Sequence, residues 1–225
     1  MGTDDLFKKK REARRQRESE TKTPRANSFL IITEGEQTEP NYFKGIKEQI
    51  QIKMGGYISI EHKPTIEVQG EGMNTVSLVE RANEIVNRSK IMYQNVWIVM
   101  DKDDFAQFDE AIELARKAGY KVAWSNQSFE YWLYLHFNYS DSALHRDQWC
   151  EKLSDIFHRN DIANGTYEKN DPKIYEYLNQ FDGAKTAIAH AKRRMSSYNR
   201  TIKPSHYDPG TTVHVLVEEL MSYMQ

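Results

Sequence analysis

The sequence is poor in the features that mark secreted and membrane proteins. It has one cysteine, Cys150, among 225 residues, so no internal disulfide can form. No apolar run approaches the roughly 18 residues that a transmembrane helix needs, and no apolar segment follows the basic N-terminus as a secretory signal requires. We therefore expect a cytoplasmic protein that has no membrane partner.

Sequence motifs for zinc and for nucleotide phosphates are also missing. No cysteine and histidine spacing is typical of a zinc site, and His136 and His214 lie within apolar stretches that favour hydrogen-bonded core histidines. The glycine-containing segment from Gly70 to Gly72 has no lysine of the kind found in a phosphate-binding loop. If ATP is used, we expect a partner chain to bind it.

Charge is unevenly distributed along the chain. Residues 1–25 contain nine Lys or Arg and five Asp or Glu, whereas the remainder contains 22 basic and 28 acidic residues. We interpret residues 1–25 as a basic, mobile arm that contacts phosphates or an acidic partner, with a solubilising tail as the alternative. Residues 26–225 are expected to fold, with a core over 26–137 and a helical extension over 138–225.

The apolar pattern predicts an α/β fold built on a parallel sheet of about four strands. The strands are predicted at 28–33, 65–68, 95–100 and 120–124. They alternate with helices at 38–53, 75–89 and 105–118, which is typical of parallel sheets with helical crossovers. Further helices are predicted at 129–137, 147–158, 172–179, 183–196 and 211–223.

Carboxylates follow two of these strands at the point where each strand ends. Glu34 comes directly after the first strand, and Asp101 and Asp103 follow the third. Parallel sheets bind ligands at the carboxyl ends of their strands, so we expect these side chains at one edge. Three carboxylates repel one another unless a cation neutralises them, and Mg²⁺ or Mn²⁺ prefers such oxygen ligands. Turn hydrogen bonding by loop carboxylates is the alternative.

Other residues near the strand ends are candidates for the same site. Glu36 and Glu130 are predicted to be further metal ligands, and four residues are predicted to support the ligands: Glu39, Asp104, Ser125 and Asn126. Glu39 also suits the first turn of a helix, and Glu130 also suits a solvated or ion-paired helix position. Asp104 is better interpreted as the N-cap of the helix that follows it.

Basic residues recur in the C-terminal part, with Tyr198 and Tyr207 between them. The predicted nucleic-acid-binding residues are Lys185, Lys192, Arg193, Arg194, Arg200 and Lys203. A solvated helix face next to a loop is the alternative. Lys169 is predicted to stabilise the developing charge of a phosphoryl transition state, and an ordinary surface lysine is its alternative.

The motifs together resemble a known family. A strand ending in Glu34-Gly35 and a later strand ending in Asp101-x-Asp103 resemble the Toprim fold of topoisomerases, primases and OLD-type nucleases. Residues 32–43, 125–137 and 208–220 resemble the RloB family, and the resemblance covers about residues 26–220.

The resemblance implies a subunit of a bacterial abortive-infection, anti-phage system that is encoded beside an AAA/ABC-type ATPase. It also implies a Mg²⁺-dependent nuclease that acts on DNA or tRNA. A degenerate Toprim domain that only binds or regulates the ATPase complex is the alternative. The oligomeric state is left open, with a homo-oligomer among the alternatives.

Overall fold

The computed structural model of the chain describes residues 22–55, 65–72, 74–103, 106–180, 182–199 and 202–224. Asp104, Arg200 and residues 1–21 of the predicted N-terminal arm lie outside the described residues.

Four parallel strands form the centre of the fold. They are β1 (Thr23–Thr33), β2 (Thr65–Gly70), β3 (Ile91–Lys102) and β4 (Lys121–Asn126). Their order in the sheet is β2-β1-β3-β4. The two inner strands carry the most apolar runs, as expected for strands covered on both faces. The predicted parallel α/β sheet is confirmed.

Eight α-helices lie in the described part of the chain. They are α1 (Thr38–Met54), α2 (Thr75–Arg88), α3 (Phe108–Lys117), α4 (Phe129–Tyr134), α5 (Arg146–Arg159), α6 (Ile174–Leu178), α7 (Gly183–Ser196) and α8 (Val213–Met221). Each corresponds to a predicted helix, and the ends differ by three residues at most. Within the described ranges, no helix combines the length and apolarity needed to cross a membrane.

Two hydrophobic cores lie on opposite faces of the sheet. Phe29 and Ile31 of β1 belong to the larger core, and the alternating Leu30 and Ile32 belong to the smaller one. Helices α2 and α3 cover the smaller core, whereas α1 and α4 to α8 cover the larger one. The helices of the C-terminal extension therefore pack mainly on the same face of the sheet as α1, whereas Met195 and Tyr207 contact the smaller core.

Strand β1 begins five residues earlier than its apolar pattern predicts. Thr23 pairs with Ile91 of β3, but the register shifts between Arg25 and Phe29, where Asn27 has a positive φ of 57°. Such an irregularity breaks the two-residue period of a strand. The sequence pattern therefore locates only the regular second part of β1.

The start of α3 differs from the prediction, and Asp104, the residue interpreted as its N-cap, lies outside the described residues. Helix α3 begins at Phe108, and Gln107 occupies its N-cap position. Phe108, its first residue, is buried in the smaller core. Asn74 caps α2, since its side chain accepts a hydrogen bond of 3.1 Å from the Ser77 amide.

The C-terminal segment is anchored to the outer strand β4. Ser125 forms an antiparallel bridge with Thr211, and their hydroxyl oxygens are 3.0 Å apart. The ring of Tyr207 stacks on Trp124 with 5.9 Å between centroids. These contacts cover the edge of β4 and attach the loop before α8 to the sheet.

Gly45 is expected to be required for the packing of α1 against α6. A glycine-to-alanine change inside a helix normally stabilises a protein by about 0.5–1 kcal/mol. At this position a Cβ atom would lie 2.5 Å from the Cβ of Tyr175, so Gly45→Ala should instead destabilise by about 1–3 kcal/mol. Urea unfolding measures the effect, with the exposed neighbour Lys44→Ala as the control. A stabilised Gly45→Ala protein would contradict this packing.

Candidate active site

Glu34 and Asp101 meet because β1 and β3 are neighbours in the sheet. The Glu34 amide donates a hydrogen bond of 2.9 Å to the carbonyl oxygen of Val99. The Asp101 amide in turn donates to Oε2 of Glu34 at 3.1 Å. The acidic residue after β1 is therefore bonded to the backbone of β3 at the carboxyl edge of the sheet, where ligands of parallel sheets bind.

These two residues line a cavity of about 610 Å³. Seven of the residues predicted from the sequence line it: Glu34, Glu36, Glu39, Asp101, Asp103, Glu130 and Lys169. The structure thus brings the two separated acidic motifs to one place. It adds Glu39 from α1, Glu130 from α4 and Lys169 from the loop before α6.

Asp101 is the most deeply placed carboxylate of the cavity. Its Oδ2 accepts a hydrogen bond of 3.0 Å from the Phe129 amide at the start of α4. Its Oδ1 is buried and has no hydrogen-bond partner among the described residues. Burial and the charges of nearby Glu39 and Glu130 raise the pKa of Asp101 well above its usual value.

Glu39 occupies the space left by a glycine. A Cβ atom on Gly35 would lie 2.1 Å from Oε2 of Glu39, so a larger residue at this position would require the carboxylate to move. Glu39 is 6% exposed, and its burial raises its pKa to about 7 although backbone amides of Gly35 and Glu39 hydrogen-bond to it. Glu39 is therefore both a residue of the first helical turn and a member of the cavity.

The carboxylates of the cavity disfavour one another's ionisation. Burial raises the pKa of Glu34 to about 7, and the charges of Asp103 and Glu39 add to the effect. The hydrogen bond from the Asp101 amide opposes it. Carboxyl groups in such a site keep their protons to higher pH than exposed ones, because a proton relieves both the burial cost and the repulsion.

Glu130 is paired with a lysine from the C-terminal extension. Its Oε1 accepts a hydrogen bond of 3.1 Å from the Tyr167 hydroxyl and lies 3.0 Å from Nζ of Lys169. The backbone carbonyl of Lys169 accepts a hydrogen bond of 2.7 Å from Oγ1 of Thr38. The loop before α6, which contains Lys169, therefore holds a positive charge at the cavity. Glu130 is an ion-paired helix residue whose side chain is almost fully buried.

Glu36 and Asp103 complete the acidic lining. Glu36 is exposed and lies against Gly72, where a Cβ atom would come within 2.2 Å of the Glu36 Oε1. The φ of Gly72 is 59°, a conformation that favours glycine. Asp103 is half-buried just beyond the end of β3.

The residues that line the cavity and were not predicted as site residues include Gln127, Ser128 and Arg146. Gln127 and Ser128 follow β4 directly, so the rule that ligands bind at strand ends could have found them. Arg146 begins α5, far from any strand, and no sequence pattern connects it with the acidic residues.

Two predicted supporting residues at the end of β4 contact the loop before α8 and not the cavity. The Ser125 hydroxyl is paired with Thr211, and the Asn126 side-chain amide donates to the Ser205 carbonyl at 3.2 Å. Neither side chain lines the cavity. Both side chains instead form hydrogen bonds with the loop before α8.

Comparison with models of protein families identifies the family to which this chain belongs. The sequence model of the RloB-like proteins matches residues 29–220. The chain belongs to the RloB-like family. All seven predicted residues that line the cavity lie within the matched span. No curated protein and no solved structure matched the chain.

The basic residues of this RloB-like chain are mostly engaged within the protein. Their partners, where the structure describes them, are Asp182 for Lys185, Glu218 for Lys192, the ring of Tyr139 for Arg193 and the Pro209 carbonyl for Arg194. Lys203 is exposed. None of the described members lines the cavity, so their contact with nucleic acid stays a prediction.

The carboxylates of this family member share a cavity without forming a closed ligand cluster. Across the ranges that the structure describes, no three Asp, Glu, His or Cys side chains are arranged as a group that could hold a metal ion. His136 and His214 are buried and hydrogen-bonded to Tyr42 and to the Thr211 carbonyl, as core histidines are.

The raised pKa of Glu39 predicts that stability falls as pH rises. A carboxyl with a higher pKa in the folded state binds its proton more tightly there, so its contribution is present at low pH and lost between about pH 4.5 and 7. Between about pH 5 and pH 8 in EDTA, Glu39→Gln should reduce the loss of unfolding free energy by about 1–3 kcal/mol.

Urea unfolding at the two pH values measures this, and Glu48→Gln, an exposed position of α1, is the matched control. An unchanged pH dependence in Glu39→Gln would mean that its carboxyl is already ionised in the folded protein.

The pair of Glu130 and Lys169 is expected to behave as a unit. Lys169→Met leaves the buried Glu130 carboxylate without its cation, and should cost about 1–2 kcal/mol because the lysine is itself partly exposed. Adding Glu130→Gln should recover most of this stability. A double-mutant cycle in urea measures the coupling, and additive effects would show that the two side chains act independently.

Proposed function

We propose that this chain is a Toprim-like, Mg²⁺- or Mn²⁺-dependent nuclease that cleaves phosphodiester bonds of DNA or tRNA. The convergence of Glu34 and Asp101 carries the proposal. Their strands are adjacent, their groups are hydrogen-bonded at 3.1 Å, and Asp103 lines the same cavity. This is the arrangement that the Glu-Gly and Asp-x-Asp motifs lead one to expect.

The donor set fits a hard divalent cation. The cavity offers carboxylate oxygens, which Mg²⁺ prefers, and no described sulfur or imidazole ligand lines it. The buried Oδ1 of Asp101 has no partner among the described residues. Burial raises the pKa values of Glu34 and Asp101, and neighbouring carboxylates add negative charge that a cation would offset. Glu34, Asp101 and Asp103 are proposed to contribute oxygens to it, together with ligands other than Asp, Glu, His and Cys side chains.

A bound divalent ion would supply charge neutralisation at the scissile phosphate and a more acidic water molecule. The protein's own groups would position the substrate. Lys169 and Arg146 line the cavity beside the carboxylates, so they can contact phosphate oxygens without leaving the site. Lys169 is held near Glu130 and its backbone is bonded to Thr38, which restricts the place of its charge.

Membership in the RloB-like family supports the biological setting. We propose that the chain is the effector of a bacterial anti-phage, abortive-infection system and works with an AAA/ABC-type ATPase encoded beside it. The ATPase would supply nucleotide binding, since the sequence has no phosphate-binding loop of its own.

A second candidate function is a Toprim-like subunit that binds or regulates the ATPase complex without catalysis. Two observations favour it. The carboxylates do not form a closed three-ligand group within the described residues, and Glu130 is committed to Lys169 and Tyr167. Cleavage assays distinguish the two candidates.

Glu34→Gln and Asp101→Asn should each lower the rate of cleavage at least about 100-fold, because each removes a proposed cation ligand. The assay incubates the full chain, alone and with its ATPase, with DNA and tRNA in Mg²⁺ or Mn²⁺. Glu48→Gln, on the exposed side of α1, should retain wild-type cleavage.

Two results would favour the non-catalytic candidate instead. One is the absence of cleavage by the wild-type chain under every combination of partner, substrate and metal. The other is cleavage that Glu34→Gln leaves unchanged, since that activity would not arise in this cavity.

A further inference from the structure

The turn between β4 and α4 contains a buried hydroxyl that the proposed reaction has not used. Ser128 is 5% exposed and lines the acidic cavity. Its Oγ has no hydrogen-bond partner among the described residues. Buried polar groups are almost always hydrogen-bonded, because leaving one unpaired is unfavourable. An unpaired hydroxyl at a cavity therefore indicates that a bound ion, ligand or water supplies the missing contact.

A second unpaired oxygen lies in the adjoining segment. Oδ1 of Asp101 is buried in the same cavity and also has no partner among the described residues. The other oxygen, Oδ2, accepts a hydrogen bond of 3.0 Å from the amide of Phe129, the residue directly after Ser128. This bond joins the segment that carries the hydroxyl to the segment that carries the carboxylate.

The turn before Ser128 is strained and held in place on both sides. Gln127 has φ 69°, in the left-handed region that residues with a side chain rarely occupy. Its amide donates to the Lys102 carbonyl at 2.9 Å, and the Asn126 amide donates to the Gly210 carbonyl at 2.8 Å. Strain that is maintained by surrounding contacts concentrates at functional sites.

The size of the contact favours a cation over a phosphate group. Both unpaired oxygens have almost no exposed surface. A water or phosphate oxygen would approach a hydroxyl to about 2.7 Å, whereas Mg²⁺ binds oxygen at about 2.0–2.1 Å. A directly bound Mg²⁺ therefore needs less space at these oxygens than a phosphate group, and the cavity offers room for the waters that the ion retains. Serine and threonine hydroxyls serve as neutral Mg²⁺ ligands in phosphate-binding loops.

The acidic side chains alone also leave the ligand set incomplete. No three Asp, Glu, His or Cys side chains in the described ranges form a group that could hold a metal ion. A hard cation in this cavity must then take neutral oxygens in addition to carboxylates, and six oxygen ligands are typical of Mg²⁺.

We propose that the hydroxyl of Ser128 is a direct ligand of the divalent cation, next to Asp101 in a site of mixed neutral and acidic oxygens. The proposal deepens the proposed function and rests on its assumption that the cavity binds such a cation.

Binding of Mn²⁺ alone to the metal-stripped full chain tests the proposal. Isothermal titration calorimetry should show that Ser128→Ala lowers the affinity about tenfold or more relative to the wild type. Ser154→Ala is the matched control, since that hydroxyl donates to the Cys150 carbonyl outside the cavity, and it should change the affinity less than twofold.

Urea unfolding in EDTA provides a readout that separates the ligand role from a structural one. Ser128→Ala should be as stable as the wild type or more stable, because it removes an unpaired buried hydroxyl. A protein that loses stability in EDTA and keeps its Mn²⁺ affinity would overturn the proposal and leave Ser128 with a packing role.

Ser128→Cys supplies a second test that does not depend on the alanine variant. Sulfur is a poor ligand for Mg²⁺ and a good one for soft cations. The variant should bind Mg²⁺ about tenfold or more weakly while its affinity for Cd²⁺ is maintained or increased. Equal weakening for both ions would contradict direct ligation.

The outcomes also separate this proposal from the proposed function. Equal Mn²⁺ affinities for the wild type and Ser128→Ala would overturn the role of Ser128 alone. The absence of Mn²⁺ binding by the wild-type chain would overturn both, because the cavity would then hold no cation for Ser128 to ligate.

Discussion

Repulsion among buried carboxylates is the constraint on which the site depends. The hydrogen bond from the Asp101 amide to Glu34 holds two acidic strand ends together, while burial and neighbouring charges raise the pKa of both side chains. Such an arrangement is unfavourable unless the fold enforces it, because ionised groups in a poorly solvated place repel one another. Here the enforcement comes from the pairing of β1 with β3, the two inner strands of the sheet.

The C-terminal extension contributes directly to this site. It packs with α1 over the larger core, and this packing brings Lys169 to Glu130 and to the start of α1. The cavity therefore contains acidic groups from the sheet and a positive charge from the extension. Since the family match spans both parts, the sheet and the extension are best regarded as one functional unit.

Local patterns predicted elements well and side-chain partners poorly. Helix α7 has the predicted bounds because its alanine positions repeat at helical spacing on the buried side. The start of β1 was missed because an irregular register hides the strand period, and α3 begins three residues later than its apolar pattern predicted. Ser125 and Asn126 were expected near the carboxylates, but the loop before α8 binds both, and that contact joins residues about 80 positions apart.

The sequence by itself determined the parallel α/β class, the family and the acidic residues at the strand ends, because apolar runs and strand-end motifs are local properties. Only the tertiary structure decided which of these groups share a cavity. Strand order made Glu34 and Asp101 neighbours, and a loop of the extension brought Lys169 to Glu130. Hydrogen bonding, burial and charge repulsion depend on distances between remote segments, and those distances exist only once the chain has folded.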